Sequence, residues 1–265
     1  MAVISAADSG FVSIIIPVHN AEKFIRDTID CVRAQTCRNW ELLLIEDGST
    51  DHTMNVTTDY LEKIQDDRIR LMKREIRSPE ERSFGAARAR NLGISMAQGR
   101  YIAYLDADDY WRADKLEKEL AFMKEKQAAF VFTAYEFGDE DAKRTGKVVN
   151  VPPSLTYFKA LSRTVIFTTT VMLDTERTGR ELIRMPEVKS EDTATWWKIL
   201  KNGFTAYGLN EVLAVYRRPA RSLSSNKLEA IRRIWNLYRK QEKLSLWYSV
   251  YNLFFWAVRA TMRRL

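Results

Sequence analysis

The chain has 265 residues, 46% hydrophobic and 29% charged, so it can bury a full core and is not a disordered segment. Its net charge of +7 is unevenly spread: the segment from Arg217 onward holds twelve basic and two acidic residues, which is +10 and leaves −3 for the rest. A basic tail on a mildly acidic body favours an anionic surface as partner and argues against a uniformly basic nucleic-acid-binding protein.

The start of the chain and its cysteines indicate the compartment. Residues 1–11 have no basic start and no apolar run, so we expect no secretory signal peptide and a cytoplasmic protein. Cys31 and Cys37 are too far apart for a CxxC motif, and free thiols in a reducing environment are the simple interpretation.

Strands and helices alternate in the first part of the chain. A β-branched run stopped by Pro17 predicts a buried strand over 13–17. The further predicted elements are a helix over 21–35, a strand over 41–46, a helix to about residue 64, a strand over 68–73, a loop over 74–84, a helix over 85–98 and a strand over 101–105. This repetition predicts an α/β fold with a mostly parallel, doubly wound sheet and right-handed crossovers.

Polar clusters follow three of these strands. They are His19-Asn20, Asp47-Gly48-Ser49 and the tetrad Asp106-Ala107-Asp108-Asp109. Ligands of open α/β sheets bind beyond the carboxyl ends of the strands, so the clusters predict one binding site at that edge.

The second part of the chain is less regular. The predicted elements are strands over 129–137, 168–173 and 211–216, a helix over 192–201, and helix from residue 226 to the end.

The tetrad carries chemistry suited to a diphosphate ligand. Two acids at positions i and i+2, just past a strand, can divide the binding of a ribose and of a divalent cation between them. The alternative is a solvated acidic turn, since Asp is common in turns. Its place directly after the strand over 101–105 favours the functional interpretation.

Ordered short segments over residues 12–225 resemble family 2 glycosyltransferases of the GT-A fold. The segments are 13–20 with Glu22, 46–51, Gly85 with 89–91, 105–109, Glu191-Asp192 and Tyr216-Arg217. Residues 196–201 and 222–227 are most similar to bacterial cell-surface polysaccharide and teichuronic-acid-type transferases.

The resemblance implies a donor site, a metal site and a base. The donor-binding residues are Pro17, His19 and Glu22 lining the nucleotide base, Asp47 contacting it, Arg90 near the donor, Asp106 at the ribose and Arg217 at the diphosphate. Asp108 is implied as the ligand of Mn²⁺ or Mg²⁺, and Asp192 as the catalytic base of an inverting transfer.

The implied reaction moves a sugar from a nucleotide-diphospho-sugar to a glycan hydroxyl. UDP is the favoured nucleotide, and the acceptor is expected to be lipid-linked, in bacterial surface polysaccharide synthesis. The implied organisation is a catalytic domain over 1–225, with a nucleotide half over 12–110 and an acceptor half over 111–225, and a helical tail over 226–265.

Some alternatives stay open. Glu191 and Asp192 also suit the first turn of a helix capped by Ser190, which needs no catalytic role. Relatives often have a histidine where this chain has Pro219, and Arg218 or Arg221 could replace its charge. The absence of a glycine-rich loop after the first strand argues against a sugar nucleotidyltransferase and a dehydrogenase. Asp192, at the position of the catalytic base, argues against a non-catalytic module that binds a nucleotide-sugar or a glycan.

The tail has two interpretations besides a merely solvated helical face. Residues 244–258 are aromatic and apolar but fall short of the ~20 residues that span a bilayer. With Arg259, Arg263 and Arg264 next to them, they suit a helix lying in the inner membrane surface. The other interpretation is a helix docked on the catalytic domain. The +10 charge favours the membrane, which would place the enzyme at the inner face of the cytoplasmic membrane.

Overall fold

A computed structural model describes residues 10–76, 85–217 and 227–262. The strands of these ranges are β1 (Val12–Val18), β2 (Trp40–Glu46), β3 (Ile69–Lys73), β4 (Tyr101–Tyr104), β5 (Tyr110–Trp111), β6 (Phe130–Gly138), β7 (Arg144–Val149), β8 (Ser154–Leu155), β9 (Val171–Asp174) and β10 (Ala206–Arg217). Their sheet runs in the order β3-β2-β1-β4-β9-β6-β10-β5, with β7 beside β6 and β8 beside β10.

Helices connect and cover these strands. In the described ranges they are α1 (Ile25–Arg33), α2 (Thr53–Ile64), α3 (Gly85–Met96), α4 (Lys115–Lys126), α5 (Tyr157–Leu161), α6 (Thr175–Thr178), α7 (Arg180–Ile183), α8 (Glu191–Lys201), α9 (Lys227–Asn236) and α10 (Leu246–Met262). A 3₁₀ turn (Thr168–Thr170) precedes β9, and a π-helical turn (Leu237–Gln241) follows α9.

The first four strands form a parallel unit, as predicted. β1 lies between β2 and β4, and β2 pairs with β3, all in parallel register. Ile14, Ile15 and Ile16 are completely buried, which explains why this strand is apolar on both faces. The α/β class is therefore confirmed, and the carboxyl ends of β1, β2 and β4 lie side by side.

Beyond β4 the sheet is mixed. β9 runs antiparallel to both β4 and β6, whereas β10 is parallel to β6. The strand predicted over 168–173 begins as the 3₁₀ turn, and β10 starts well before the predicted residue 211. Helix α4 has no counterpart among the predicted elements, because its buried face includes the charged Lys115 and Glu119.

The tail docks on the domain through one of its faces. It is not continuous helix, since α10 begins at Leu246 after a break that follows Gln241. The Tyr238 ring stacks on Trp197 of α8 with centroids 5.3 Å apart, and the Tyr238 hydroxyl donates to the Leu161 carbonyl at 2.5 Å. Trp256 Nε1 donates to Thr164 Oγ1 at 2.7 Å. The docking interpretation is thus confirmed for this face of the tail.

Two smaller expectations can also be compared with the structure. Cys31 and Cys37 are both free thiols, as expected. In the three described ranges, none of the helices combines the length and apolarity needed to cross a bilayer.

Arg218, Pro219, Arg221, Arg263 and Arg264 lie outside the described residues, as does most of the predicted loop over 74–84.

Candidate active site

A cavity of about 740 Å³ opens at the carboxyl ends of β1, β2 and β4. Six of the nine residues implied by the resemblance line it, namely Pro17, His19, Asp47, Arg90, Asp106 and Asp108. The three polar clusters that follow the strands therefore converge, as their positions in the sequence predicted.

The loops after β1 and β2 are tied into one wall of this cavity. Asn20, in a left-handed conformation with φ of 50°, accepts the Thr50 amide proton on its side-chain oxygen at 2.8 Å. The backbone amide of Asn20 donates to Ser49 Oγ at 3.2 Å, and His19 Nδ1 lies 3.0 Å from the Asp47 carbonyl oxygen. The wall is thus held by hydrogen bonds before any ligand binds.

Asp47 sits at the back of this wall with 8% of its surface exposed. Its carboxylate pairs with the Arg74 guanidinium. Burial raises the pKa of Asp47, and Arg74 opposes that rise. A Cβ on Gly85, the first residue of α3, would lie 2.0 Å from Asp47 Oδ2. The glycine is therefore required for α3 to begin so close to the carboxylate.

Arg90 joins the end of β4 to the start of α8. Its guanidinium donates to Asp106 Oδ1 at 2.6 Å and to Glu191 Oε1 at 2.9 Å, while only 5% of the residue is exposed. Burial by itself would lower the pKa of Arg90, but Asp106 and Glu191 outweigh it, so the guanidinium stays charged. Arg90 thus orients Asp106 in the cavity and Glu191 at the start of α8.

Asp108, half-buried like Asp106, faces the cavity. Burial, reinforced by the charge of Asp106, raises the pKa of Asp108 to about 6. A cation at this carboxylate would offset both effects. Within the described ranges no three His, Cys, Asp or Glu side chains are grouped to hold a metal alone. Asp106 and Asp108 line the cavity, and Mg²⁺-type sites use one or two carboxylates that share the ion with substrate phosphates.

Asp109, to which the sequence assigned no role, is the buried anchor of the tetrad. It has no exposed surface, accepts the Thr169 hydroxyl proton at 2.5 Å, and accepts the Arg217 amide proton at 3.2 Å. Burial and the neighbouring acids, Asp106 and Asp108, raise its pKa well above the ordinary value. Asp109, the residue before β5, therefore connects the tetrad to β10 and the 3₁₀ turn.

Asp192 lies at the start of α8 and does not line the donor cavity. Its Oδ2 accepts the Thr168 hydroxyl proton at 3.2 Å, and its Oδ1 accepts the Thr193 amide proton at 2.6 Å. Ser190 precedes the helix with φ of 62°, and its side chain makes no capping hydrogen bond. The cap expected from Ser190 is therefore not formed, and Asp192 itself satisfies an amide of the first turn.

The remaining two implied residues do not line the cavity. Arg217 is buried, with its guanidinium 3.2 Å from Asp27 Oδ2 and 5.2 Å from the centre of the Phe24 ring, which does line the cavity. Glu22 accepts the His52 amide proton at 3.0 Å and so holds the residue before α2. Arg217 therefore contacts the lining residue Phe24 from outside the cavity, and Glu22 fixes the turn before α2.

Thr168, Thr169 and Arg74 were not identified from the sequence. The two threonines bond to Asp192 and Asp109, and Arg74 bonds to Asp47. Each pair is separated by more than twenty residues in the chain, so no local pattern reports it. The only signal was indirect, namely that buried carboxylates require donors.

Two proteins that are named as glycosyltransferases are similar to this chain over almost its whole length. A putative teichuronic acid biosynthesis glycosyltransferase of Bacillus subtilis (strain 168), TuaG, is 44% identical over 255 residues, 96% of this chain and 97% of that protein. UDP-Glc:alpha-D-GlcNAc-diphosphoundecaprenol beta-1,3-glucosyltransferase WfaP of Escherichia coli is 35% identical over 252 residues, 95% of this chain and 94% of that protein.

A solved structure shares the fold. The mannosyltransferase PcManGT of Pyrobaculum calidifontis, solved with GDP-Man and Mn²⁺, superposes with a TM-score of 0.66 at 20% identity. The match covers 88% of this chain and 64% of that one. Residues 13–180 match the profile of glycosyl transferase family 2, a range that includes every cavity-lining acid described above. The chain belongs to glycosyl transferase family 2, with a GT-A fold.

Proposed function

We propose that this protein transfers a sugar from a UDP-sugar to a hydroxyl of a lipid-linked glycan, with inversion, in bacterial surface polysaccharide synthesis. The observation that carries the proposal is the cavity in which Asp47, Asp106 and Asp108 meet at the ends of three parallel strands. WfaP, whose name states a UDP-glucose donor and a diphosphoundecaprenol acceptor, supports the substrate classes.

The donor site divides into a base end and a diphosphate end. Pro17, His19 and Asp47 are proposed to receive the nucleotide base, with Glu22 supporting their loop. Asp106, fixed by Arg90, is proposed to bind the ribose hydroxyls as a hydrogen-bond acceptor. Arg217 lies behind Phe24, and we assign to it a positive charge that attracts the diphosphate from outside the cavity wall.

A divalent cation, Mn²⁺ or Mg²⁺, is proposed at Asp108. When bound, such an ion neutralises the charge that grows on the diphosphate as the glycosidic bond breaks. Asp108 suits this role because it is a carboxylate at the cavity surface, with Asp106 adding negative potential beside it. Asp109 has no free access to the cavity and is proposed only as their structural support.

Asp192 is proposed as the general base on the acceptor side. It would take the proton of the acceptor hydroxyl while that oxygen attacks the anomeric carbon, so no enzyme nucleophile is needed. General-base catalysis contributes ~10²–10⁴-fold to rate. The hydrogen bonds from Thr168 and the Thr193 amide orient this carboxylate. The Arg90–Glu191 contact links the start of α8 to the donor cavity.

The domain organisation proposed from the sequence is kept. Residues 1–225 form the catalytic domain, with donor functions over 12–110 and acceptor functions over 111–225, and residues 226–265 form the tail. Described residues of both halves and of the tail share one apolar core, which supports proposing them as functional regions of one folded unit.

The exposed face of the tail is proposed to lie on the inner surface of the cytoplasmic membrane. Exposed apolar side chains recur along α10 at helical spacing: Trp247, Val250, Tyr251, Phe254 and Val258. Trp247 and Phe254 are 82% and 62% exposed. Aromatic side chains with nearby arginines suit the lipid headgroup region. Such attachment would bring the enzyme to a lipid-linked acceptor.

Ligand-induced thermal stabilisation of the full-length protein tests the donor proposal. UDP-glucose with Mn²⁺ is expected to raise the melting temperature of wild type, because a ligand that binds only the folded state stabilises it. Asp108→Asn should lose this shift, whereas Asp59→Asn, an equal charge change on exposed α2, should keep it. If no UDP-sugar stabilises wild type in the presence of the cation, the donor assignment is wrong.

Vesicle co-sedimentation tests the membrane proposal. Deleting residues 228–265 is unsuitable because Tyr238 and Trp256 belong to the core. Trp247→Ser with Phe254→Ser removes exposed apolar surface without touching the docked face, and should abolish sedimentation with lipid vesicles. Met96→Ser with Val148→Ser, which changes exposed apolar residues elsewhere, is the control. Equal sedimentation of both double variants would contradict the proposal.

A further inference from the structure

A second cavity, of about 890 Å³, lies between α5 and α10, outside the donor site. Three basic side chains line it: Lys159 and Arg163 from the α5 region, and Arg259 from α10. None of its lining residues is acidic. We refer to this cavity as the α5–α10 groove. Its positive side chains come from two separate parts of the chain.

Two of these cations are available for a ligand. Lys159 and Arg163 are exposed, and neither forms an ion pair with any residue in the described part of the chain. Arg259 is half-buried, and its Nη1 donates to the Ser162 carbonyl at 2.9 Å and to Ser162 Oγ at 2.6 Å. Arg259 is therefore fixed at the groove, and the other two can move to meet an anion.

The groove borders the apolar stripe of α10. Tyr251 belongs to both, since it lines the groove and is 58% exposed. The ring of Phe158, 69% exposed, lines the groove on the α5 side. An occupant would therefore meet positive charge inside the groove and apolar surface along α10.

We propose that the α5–α10 groove binds the phosphate head group of an anionic bilayer phospholipid, whose acyl chains lie along the exposed stripe of α10. This inference rests on the proposed membrane attachment of the tail. A bilayer lipid fits because its phosphate lies at the boundary between the polar and apolar layers of the membrane. On the protein, Tyr251 lies at the corresponding boundary, between the basic groove and the apolar stripe. Basic side chains at a membrane surface contribute to binding of anionic lipid additively.

Co-sedimentation of the full-length protein with vesicles tests the groove. Wild type is compared on phosphatidylcholine vesicles with and without phosphatidylglycerol. The double variant Lys159→Gln with Arg163→Gln should bind phosphatidylglycerol vesicles at least ~10-fold more weakly than wild type. Its residual binding to phosphatidylcholine vesicles, which depends on the apolar stripe, should be unchanged.

The matched control neutralises two other exposed cations, Lys63→Gln with Lys73→Gln. Lys73 lies in β3, six strands from β10 in the sheet order, and Lys63 in α2 precedes that strand. This control should bind phosphatidylglycerol vesicles as wild type does. Equal weakening by both double variants would mean that only total charge matters, and would overturn the proposal.

Two further arms separate the sources of phosphate. Inorganic phosphate at the concentration of accessible phosphatidylglycerol should not displace wild type from the vesicles, since it lacks acyl chains. Phosphatidylcholine vesicles carrying a polyprenyl diphosphate in place of phosphatidylglycerol also present phosphate charge, so they too should bind the groove variant more weakly than wild type. Loss of the groove variant's binding only with the polyprenyl diphosphate would assign the groove to the acceptor and contradict the proposal.

The donor-binding assay keeps this inference separate from the proposed function. If UDP-glucose still stabilises the groove variant but its lipid binding equals that of wild type, the groove assignment alone fails. If wild type binds no UDP-sugar yet shows the expected lipid dependence, the enzymatic proposal fails while the groove assignment stands.

Discussion

At the scale of single residues, Asp108 and Asp109 are neighbours with different surroundings. Asp108 faces the donor cavity, whereas Asp109 is fully buried between the Thr169 hydroxyl and the Arg217 amide. A buried carboxylate with two donors supports the fold, and a carboxylate at the surface of a cavity can bind a ligand. Identical side chains in one tetrad therefore have different surroundings, and we expect them to have different roles.

Asparagine substitutions are expected to separate those roles. Asp109→Asn should cost about 1–3 kcal/mol of stability, because one of its two donors loses its acceptor, while cation-dependent UDP binding persists. Asp108→Asn should change stability little and abolish the effect of the cation on UDP affinity. Denaturant unfolding and UDP titrations with and without Mn²⁺ give both readouts. A loss of stability in Asp108→Asn, together with a loss of the cation effect in Asp109→Asn, would contradict this assignment.

The buried pair Lys115–Glu119 is expected to control stability and its pH dependence. Both side chains are fully buried, 2.5 Å apart, and burial raises the pKa of Glu119 to about 7. Lys115→Met should cost about 3–5 kcal/mol, because it leaves an unpaired buried acid. Replacing both residues, as Lys115→Met with Glu119→Leu, should recover most of that loss.

The pH dependence of the single variant has a defined sign. A folded-state pKa above the ordinary value of 4.5 means that Glu119 favours folding at low pH and loses this contribution as pH rises through about 7. Without Lys115 the pKa of Glu119 rises further. The free energy of unfolding that Lys115→Met loses relative to wild type should therefore be greater at about pH 8 than at about pH 5. Urea unfolding at both pH values measures it. A loss that does not depend on pH would contradict the account.

At the scale of elements, the segment from Ser162 to Thr170 connects the tail to the acids of the site. Arg259 and Trp256 bond to its outer part, at Ser162 and Thr164. The 3₁₀ turn at its inner end bonds to Asp192 and Asp109. This turn positions a candidate base and an anchor that lie far apart in the sequence.

Substitutions in this turn are expected to distinguish positioning from packing. Thr168→Val removes the hydrogen bond to Asp192 and should lower kcat by ~10-fold or more, with the donor KM unchanged, since bonds to charged groups contribute about 1.5–3 kcal/mol. Thr170→Val is the matched control, because the Thr170 hydroxyl donates to the Phe167 carbonyl at 2.6 Å and bonds to no acid. Equal kcat losses in both variants would mean that Thr168 contributes through packing and does not position Asp192.

The elements predicted from the sequence are those with strong local patterns. The run Ile14-Ile15-Ile16 marked β1, and the polar clusters after β1, β2 and β4 marked the donor cavity. Helix α4 was missed because its buried ion pair looks like surface charge, and β7 because almost all of it is exposed. The surroundings of Arg217 depend on Asp27, 190 residues away, which no local pattern can report.

At the scale of the whole molecule, the tail completes the core. Ile234, Leu237, Tyr238 and Trp256 share the apolar cluster of the catalytic domain. Tyr238→Ala should therefore cost about 3–5 kcal/mol, the usual loss for a large buried aromatic side chain. Trp247→Ala, on the exposed face of the same tail, should stay within about 0.5 kcal/mol of wild type. Chemical denaturation compares the two, and equal losses would contradict the assignment of docked and exposed faces.

The parallel half of the sheet, helix α8 and the tail are connected to one another in the structure. The sheet holds Asp47, Asp106 and Asp108 at its carboxyl edge, and Asp192 lies at the start of α8 in the second half of the chain. Trp197 of α8 stacks on the tail, so the helix that carries the candidate base also contacts the proposed membrane-binding element. We propose that donor binding and base catalysis belong to different residues in this arrangement.

Comparison of wild type with Asp192→Asn separates these two functions. Both are assayed with UDP-glucose, Mn²⁺ and a diphosphate-linked GlcNAc acceptor, for donor affinity and for the rate of transfer. We expect unchanged donor affinity and a transfer rate ~10²–10⁴-fold lower in the variant. Full transfer by Asp192→Asn, or loss of donor binding together with activity, would contradict the account.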